Sequence, residues 1–344
     1  MTLFFTPMQR LTARLNGQPV DRAPNFDIIM AYGVRHIGAS LHDYFLDYRT
    51  LVRMNLAMLE NYEIGLVQTI SDPYREAADW GLEVEFPEDD LPMRRKPLID
   101  KSDDIRKLIR PNPATGRRMS DRLEAIRALK EQVGIDVPVM GWVEGALAEV
   151  NDLRGDTALM TDFYDRPEWL IEVLEMVTEV EIEFARAQIE AGADIIGLGD
   201  AIASTISPKM YRTFALPYEQ RIFEEVRAMG AVPRLHICGN TNRIVDDMAR
   251  SGAAIIDVDW KVDFARAAEA FGARGIAICG NFDPVQVMLQ GTPDEVYRAT
   301  WANLTEGGPR CISAAGCEIP VGTPEENMRA QNRALKDYYQ EIIL

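Results

Sequence analysis

The chain has 344 residues, 47% of them apolar, and its 37 basic and 54 acidic side chains leave a net charge of −17. This suffices for one large core, while no apolar run reaches the roughly 18 residues that cross a bilayer. So acidic a surface repels phosphate backbones and anionic lipid, which argues against nucleic acid or membranes as main partners.

The N-terminus, "MTLFFTPMQRLTARLNGQ", has too short an apolar stretch for a secretory signal, so a cytoplasmic protein is expected. "PNFDIIM" (24–30) and "IGLVQTI" (64–70) read as strands separated by a helix at about 47–62. "GLEVEFPEDDLPMRRKPL" (81–98), with three prolines, reads as a hairpin, and 100–116 as a short helix ending at prolines. Together these make 72–125 an irregular loop and hairpin insertion.

From about residue 130 the chain alternates apolar runs with long amphipathic ones. The runs at 137–143, 194–199, 233–238, 254–259, 275–281 and 310–316 are rich in β-branched residues and lack strict alternation. Parallel strands covered on both faces have that character. Segment 166–192 places Trp169, Leu170, Val173, Leu174, Val177 and Val180 on one helical stripe, with Pro167 in the first turn. Gly192, Gly252 and Gly272 fit helix ends that need positive φ. Eight strands with intervening helices predict a single α/β domain over 1–344, a (β/α)8 barrel with N-terminal additions. An open doubly wound sheet would want a glycine-rich phosphate turn, and neither a G-x-G-x-x-G nor a G-x-x-x-x-G-K-[ST] pattern occurs.

In such a barrel, chemistry lies at the C-terminal strand ends. "PRLHICGNT" ends a strand, and side chains two apart on a strand point the same way. His236 and Cys238 can therefore converge on one ion. Zinc wants a third protein ligand, and Cys317 in "SAAGCEIP" follows another predicted strand. A set of one histidine and two cysteines with an open fourth position is a catalytic pattern, since structural sites close with four protein ligands. The other two cysteines, Cys279 and Cys311, lie within apolar runs and read as small buried hydrophobes. His36 and His42 read as surface or locally hydrogen-bonded. Asp72, Glu144, Asp200 and Asp259 fall at strand ends, where each could cap the next helix or form a polar mouth. Glu144 is also a candidate fourth metal ligand.

With "LHICGNT" and "AAGCEIPVGTPEENMRAQNRAL", the chain resembles the uroporphyrinogen decarboxylase-like superfamily, in its cobalamin-dependent methyltransferase branch. The likeness extends over "RLNGQPVDRAPNF", "AGADIIGLGDAIASTISPKMYRTFALPYEQRI" and "CGNFDPVQVMLQGTPDEV". It implies a (β/α)8 barrel, zinc on His236, Cys238 and Cys317, and a corrinoid carried by a separate protein. Glu144 and Asp200 are then expected to act catalytically, and Asp72, Asn240 and Asn281 to face the corrinoid. The decarboxylases of this superfamily carry an arginine-rich N-terminal segment; here the corresponding "APNFDIIMAYGVRHIG" offers only Arg35.

The resemblance implies methyl transfer between a small methylated substrate, or a thiol, and the corrinoid protein. The resemblance implies that thiol-methylating relatives often have a small residue after the last zinc cysteine. Glu318 stands there instead, which tilts the expectation toward a demethylating enzyme. A tetrapyrrole decarboxylase, a non-catalytic barrel that binds a corrinoid protein and a zinc hydrolase are the alternatives. The helix-rich exterior leaves room for a homodimer.

Overall fold

Strand β1 (Val67–Gln68) is followed by an antiparallel hairpin, β2 (Val84–Glu85) and β3 (Met93–Arg94). Then come β4 (Val139–Glu144), β5 (Ile195–Gly199), β6 (Val232–Ile237), β7 (Ile255–Val258), β8 (Ala277–Phe282) and β9 (Cys311–Ala315). The structure, a computed structural model, describes residues 5–343. Seven strands form one parallel sheet in the order β1-β4-β5-β6-β7-β8-β9.

The segment around Asn25 closes this sheet into a barrel. Asn25 bridges to Ser313 of β9, the Phe26 N–H donates to the Ser313 carbonyl (2.8 Å), and the Gly65 N–H donates to the Asn25 carbonyl (2.7 Å). The expected strand over 24–30 is thus a single bridge. Its cause is local: the Asn25 side chain accepts the Asp27 N–H at 2.9 Å, an Asx turn that curls the backbone off the ladder. A helix begins already at Met30.

The helix Pro167–Ala191 matches the expected segment, and Gly192 ends it at φ 117°. Gly252 likewise has positive φ, whereas Gly272 is the last residue of the helix Phe264–Gly272. The left-handed turn there falls on Gly275, three residues later. Within 72–125 the chain forms the helix Arg75–Trp80, the β2–β3 hairpin, a 3₁₀ turn at Ser102–Lys107 and the start of the helix Arg117–Val133.

β4, β5, β7, β8 and β9 are buried at every position, as their unbroken apolar runs require. One set of side chains, including Phe26, Leu66, Met140, Trp142, Ile195, Ile255 and Ile312, fills the barrel. A larger set packs between sheet and helices. The barrel is a packed core, and its functional surface is left at the C-terminal strand ends.

Candidate metal centre

β6 carries Arg234 and His236 on its inward face, and Cys238 continues that alternation just beyond the strand. Gly239 then turns the chain at φ 92°, its N–H donating to Asp259 Oδ2 at 2.9 Å. Across the mouth, Cys317 follows β9 through Gly316, where a Cβ would run into the Trp260 backbone. Closure of the barrel brings these two ends together. His236 Nε2 lies 2.9 Å from Cys238 Sγ, and Cys238 Sγ lies 3.6 Å from Cys317 Sγ.

All three ligand atoms lie within 4.8 Å of one another, and among the described residues no other group of three His, Cys, Asp or Glu side chains does so. A tetrahedral zinc with bonds of about 2.0–2.3 Å needs ligand atoms about 3.3–3.8 Å apart, so the triad fits with a small opening. Both thiols are partly accessible, as a working metal position requires.

The surrounding charges favour ligation. His236 Nδ1 sits 3.1 Å from Asp257 Oδ2, which leaves Nε2 for the metal. Asp257 is in turn gripped by Arg234, with Nε 2.9 and 3.0 Å from its two oxygens. Arg234 is fully buried inside the barrel. Burial raises the Asp257 carboxyl, but Arg234 and His236 outweigh it and hold the group below the usual carboxylate range. The hydrogen bond with Cys238, aided by His236, draws the Cys317 thiol down to about 4 against the opposing effect of burial. Cys238 moves the other way, raised by the same hydrogen bond and by burial.

Register places Glu144, Gly199, His236 and Asp257 in one row across four neighbouring strands. Gly199 and Gly197 lack side chains because the Trp142 indole lies over them. The indole reaches to a centroid distance of 6.2 Å from His236 and donates through Nε1 to Glu144 Oε1 (3.2 Å).

Glu144 is in the mouth but outside the ligand cluster, because Oε1 also accepts from Arg75 at 2.7 Å. Burial lifts Glu144 to about 7, with Arg75 opposing. Asp200 is fully buried and neither oxygen has a hydrogen-bond partner. Burial first, and then the nearby Glu219 and Glu144, push it well above the carboxylate range. Asp72 is locked by Arg118, whose two terminal nitrogens lie 3.1 and 2.6 Å from its oxygens. Asn281 spends both amide hydrogens on the Asp259 and Val262 carbonyls and accepts from Asn303. Geometry therefore gives Asp72 and Asn281 the work of holding loops in place. Asn240 is exposed at the rim. Asp259 caps the Gly239 turn and accepts the Lys261 N–H.

Glu318, next to Cys317, accepts the Ala31 N–H at 2.7 Å, and burial pushes it to about 7. Cys279 and Cys311 are fully buried, as their apolar surroundings suggest. His36 packs its ring against Tyr32 and Tyr62, and His42 lies beside Asp43 on the surface.

The family model "Uroporphyrinogen decarboxylase (URO-D)" matches residues 6–338. The chain belongs to the URO-D family. Methylcobamide:CoM methyltransferase MtaA of Methanosarcina barkeri is 30% identical over 350 residues, covering 97% of this chain and 99% of that protein. A solved methyltransferase from Methanosarcina mazei superposes with a TM-score of 0.84 at 28% identity, covering 98% of this chain and 100% of that one. The uroporphyrinogen decarboxylase of Xanthomonas euvesicatoria pv. vesicatoria is 31% identical, over 83% of this chain and 84% of its own. Within the URO-D family the chain falls in the corrinoid-dependent methyltransferase branch, where the likeness runs end to end.

Sequence reading missed Asp257, Arg234, Trp142, Arg75 and Arg118. The signal for Trp142 was available: two glycines spaced by two in "IIGLG" leave room on one face of a strand for a large neighbour. The other four depend on inter-strand register or on loops.

Proposed function

We propose that this URO-D family member is a zinc-dependent methyltransferase that moves a methyl group between a small substrate and a corrinoid carried by a separate protein. The observation that carries this reading is the partly buried His236–Cys238–Cys317 cluster, whose three ligand atoms lie within 4.8 Å of one another. The full-length likeness to methylcobamide:CoM methyltransferases supports it.

Zinc bound there would supply Lewis acidity at the open position, holding a thiol as thiolate or polarising the leaving atom of a methylated donor. The corrinoid would supply the metal that gives or takes the methyl group. The chain's own residues do the rest. Asp257 orients His236, Trp142 and Arg75 fix Glu144 at the edge of the mouth, and the apolar barrel below keeps water out.

The demethylating direction is favoured by Glu318. Its half-buried carboxyl, lifted to about 7, is poised to exchange a proton near neutral pH with a departing oxygen, nitrogen or sulfur. Methylation of a thiol is the second reading, favoured by what the methanogen relatives are named for. The test is a pair of half-reactions followed by the visible spectrum of free cobalamin. Methylation of cobalt(I) by a panel of methyl ethers, amines and thioethers supports the first direction. Demethylation of methylcobalamin by thiols supports the second. Failure of both in zinc-loaded protein contradicts the reading.

A further inference from the structure

Arg234 is an ion set among apolar side chains. It is fully buried on β6, two residues before His236, and Phe26, Met140, Ile255, Cys279 and Ile312 are among the side chains that fill the barrel around it. An ion in such a core costs stability unless its donors are met, and an apolar side chain of similar volume often serves the fold as well. The donors of Arg234 are met, and by two separate walls of the barrel. Its Nε lies 2.9 and 3.0 Å from the Asp257 oxygens on β7, and Nη2 lies 2.8 Å from Asp257 Oδ2. Nη2 also donates across the interior to the Phe26 carbonyl at 3.2 Å, with the guanidinium 5.3 Å from the centre of the Phe26 ring.

These two walls are the supports of the two halves of the metal centre. Asp257 holds the histidine arm, 3.1 Å from His236 Nδ1. Phe26 begins the support of the cysteine arm. β9 ends the sheet, and among the described residues its outer edge meets a single bridge, at Asn25. The loop that carries Cys317 is held on that side by residues 26–31. The Phe26 N–H donates to the Ser313 carbonyl and the Ala315 N–H to Asp27 Oδ1, both at 2.8 Å. The Ile319 N–H donates to the Ile28 carbonyl at 2.8 Å, and the Ala31 N–H to Glu318 Oε1 at 2.7 Å. Cys317 thus sits on a seam without a full strand ladder, and Arg234 spans from that seam to the partner of His236.

We infer that Arg234 is a positioning residue of the metal centre: it ties the arm that carries Cys317 to the arm that carries His236 and Cys238, and so sets the spacing of the two thiols. The use of that spacing rests on the zinc reading of the cluster; the tie itself does not. The competing task for Arg234 is to neutralise Asp257, and two variants separate the tasks. Arg234→Lys keeps a charge beside Asp257 but lacks the planar fork that reaches Phe26 as well. Arg234→Met combined with Asp257→Asn removes both charges, so that no ion is left unpaired in the core, and keeps an acceptor for His236.

All variants are measured as full-length protein, with Asp257→Asn alone as the reference for the double variant. Chelator competition gives the zinc affinity, and the visible spectrum of the cobalt(II)-loaded protein reports the ligand geometry. Phenylarsine oxide, which bridges two neighbouring thiols with loss of water, reports the Cys238–Cys317 spacing without metal; Cys279 and Cys311 are fully buried and do not compete. Zinc affinity should fall about tenfold or more in Arg234→Lys, and about tenfold further in the double variant than in Asp257→Asn. The cobalt bands should shift, and arsenical binding should weaken in both. Wild-type affinities in Arg234→Lys, or a double variant equal to Asp257→Asn, overturn the tie. Weaker zinc binding with unchanged arsenical binding also overturns it, because the thiols would not have moved. If Arg234→Lys does not fold, the double variant decides. Arsenical binding that weakens in these variants of a protein that takes up no zinc would leave the tie standing and remove the zinc reading alone.

Discussion

His236 and Asp257 face each other on adjacent strands, Nδ1 to Oδ2 at 3.1 Å, and this contact decides which ring nitrogen is free to bind a metal. Replacing Asp257 with asparagine keeps a hydrogen-bond acceptor but removes the charge. Zinc affinity, measured by competition with a chromogenic chelator, should fall about 10–100-fold. An unchanged affinity would mean that Asp257 serves only to neutralise Arg234.

The β5 glycines are set by Trp142. A Cβ at Gly199 would lie 2.8 Å from Trp142 Cζ2, and one at Gly197 would meet the same indole more closely. Gly197→Ala should cost about 1–3 kcal/mol in urea unfolding, as overpacking does. The smaller ring of Trp142→Phe should return part of that loss in the double variant.

Asp72 and Arg118 form a buried pair, 2.6 Å at its shorter contact. Arg118→Met leaves a buried carboxylate without its partner and should destabilise the fold by about 3–5 kcal/mol. Asp72→Asn in the same chain should recover much of this in a double-mutant cycle.

Glu219 accepts the Tyr211 hydroxyl at 2.6 Å and is buried; burial raises it to about 8, with Tyr211 opposing. The folded state then keeps a proton that the unfolded chain releases above its ordinary value of 4.5. Its stabilising contribution is full below that value and is lost as pH rises through about 8. The melting temperature should therefore fall more steeply between about pH 5 and pH 9 in the wild type than in Glu219→Gln. Parallel profiles would contradict this assignment.

The convergence of His236, Cys238 and Cys317 was legible because its logic is local. Two ligands separated by one residue on a strand must share a face, and a barrel returns late strand ends to the mouth. Asp257 was not legible, because its place beside His236 depends on β6–β7 register, which neither strand states alone. Arg118 lies 46 residues from Asp72 and reaches it through a loop-rich stretch with no periodic signal. The strand expected at 24–30 failed on one residue: Asn25 satisfies the next N–H but one with its own side chain and ends the ladder. Gly272 and Gly275 show the same limit, since either glycine could have taken the left-handed turn.

The central claim, a catalytic zinc on His236, Cys238 and Cys317, is tested most directly by zinc-edge X-ray absorption on protein purified without added metal. The account predicts two sulfur scatterers at about 2.3 Å and one imidazole nitrogen at about 2.0 Å, with one sulfur lost in Cys317→Ser. A shell of oxygen and nitrogen only, or a metal content indifferent to Cys317→Ser, would contradict it.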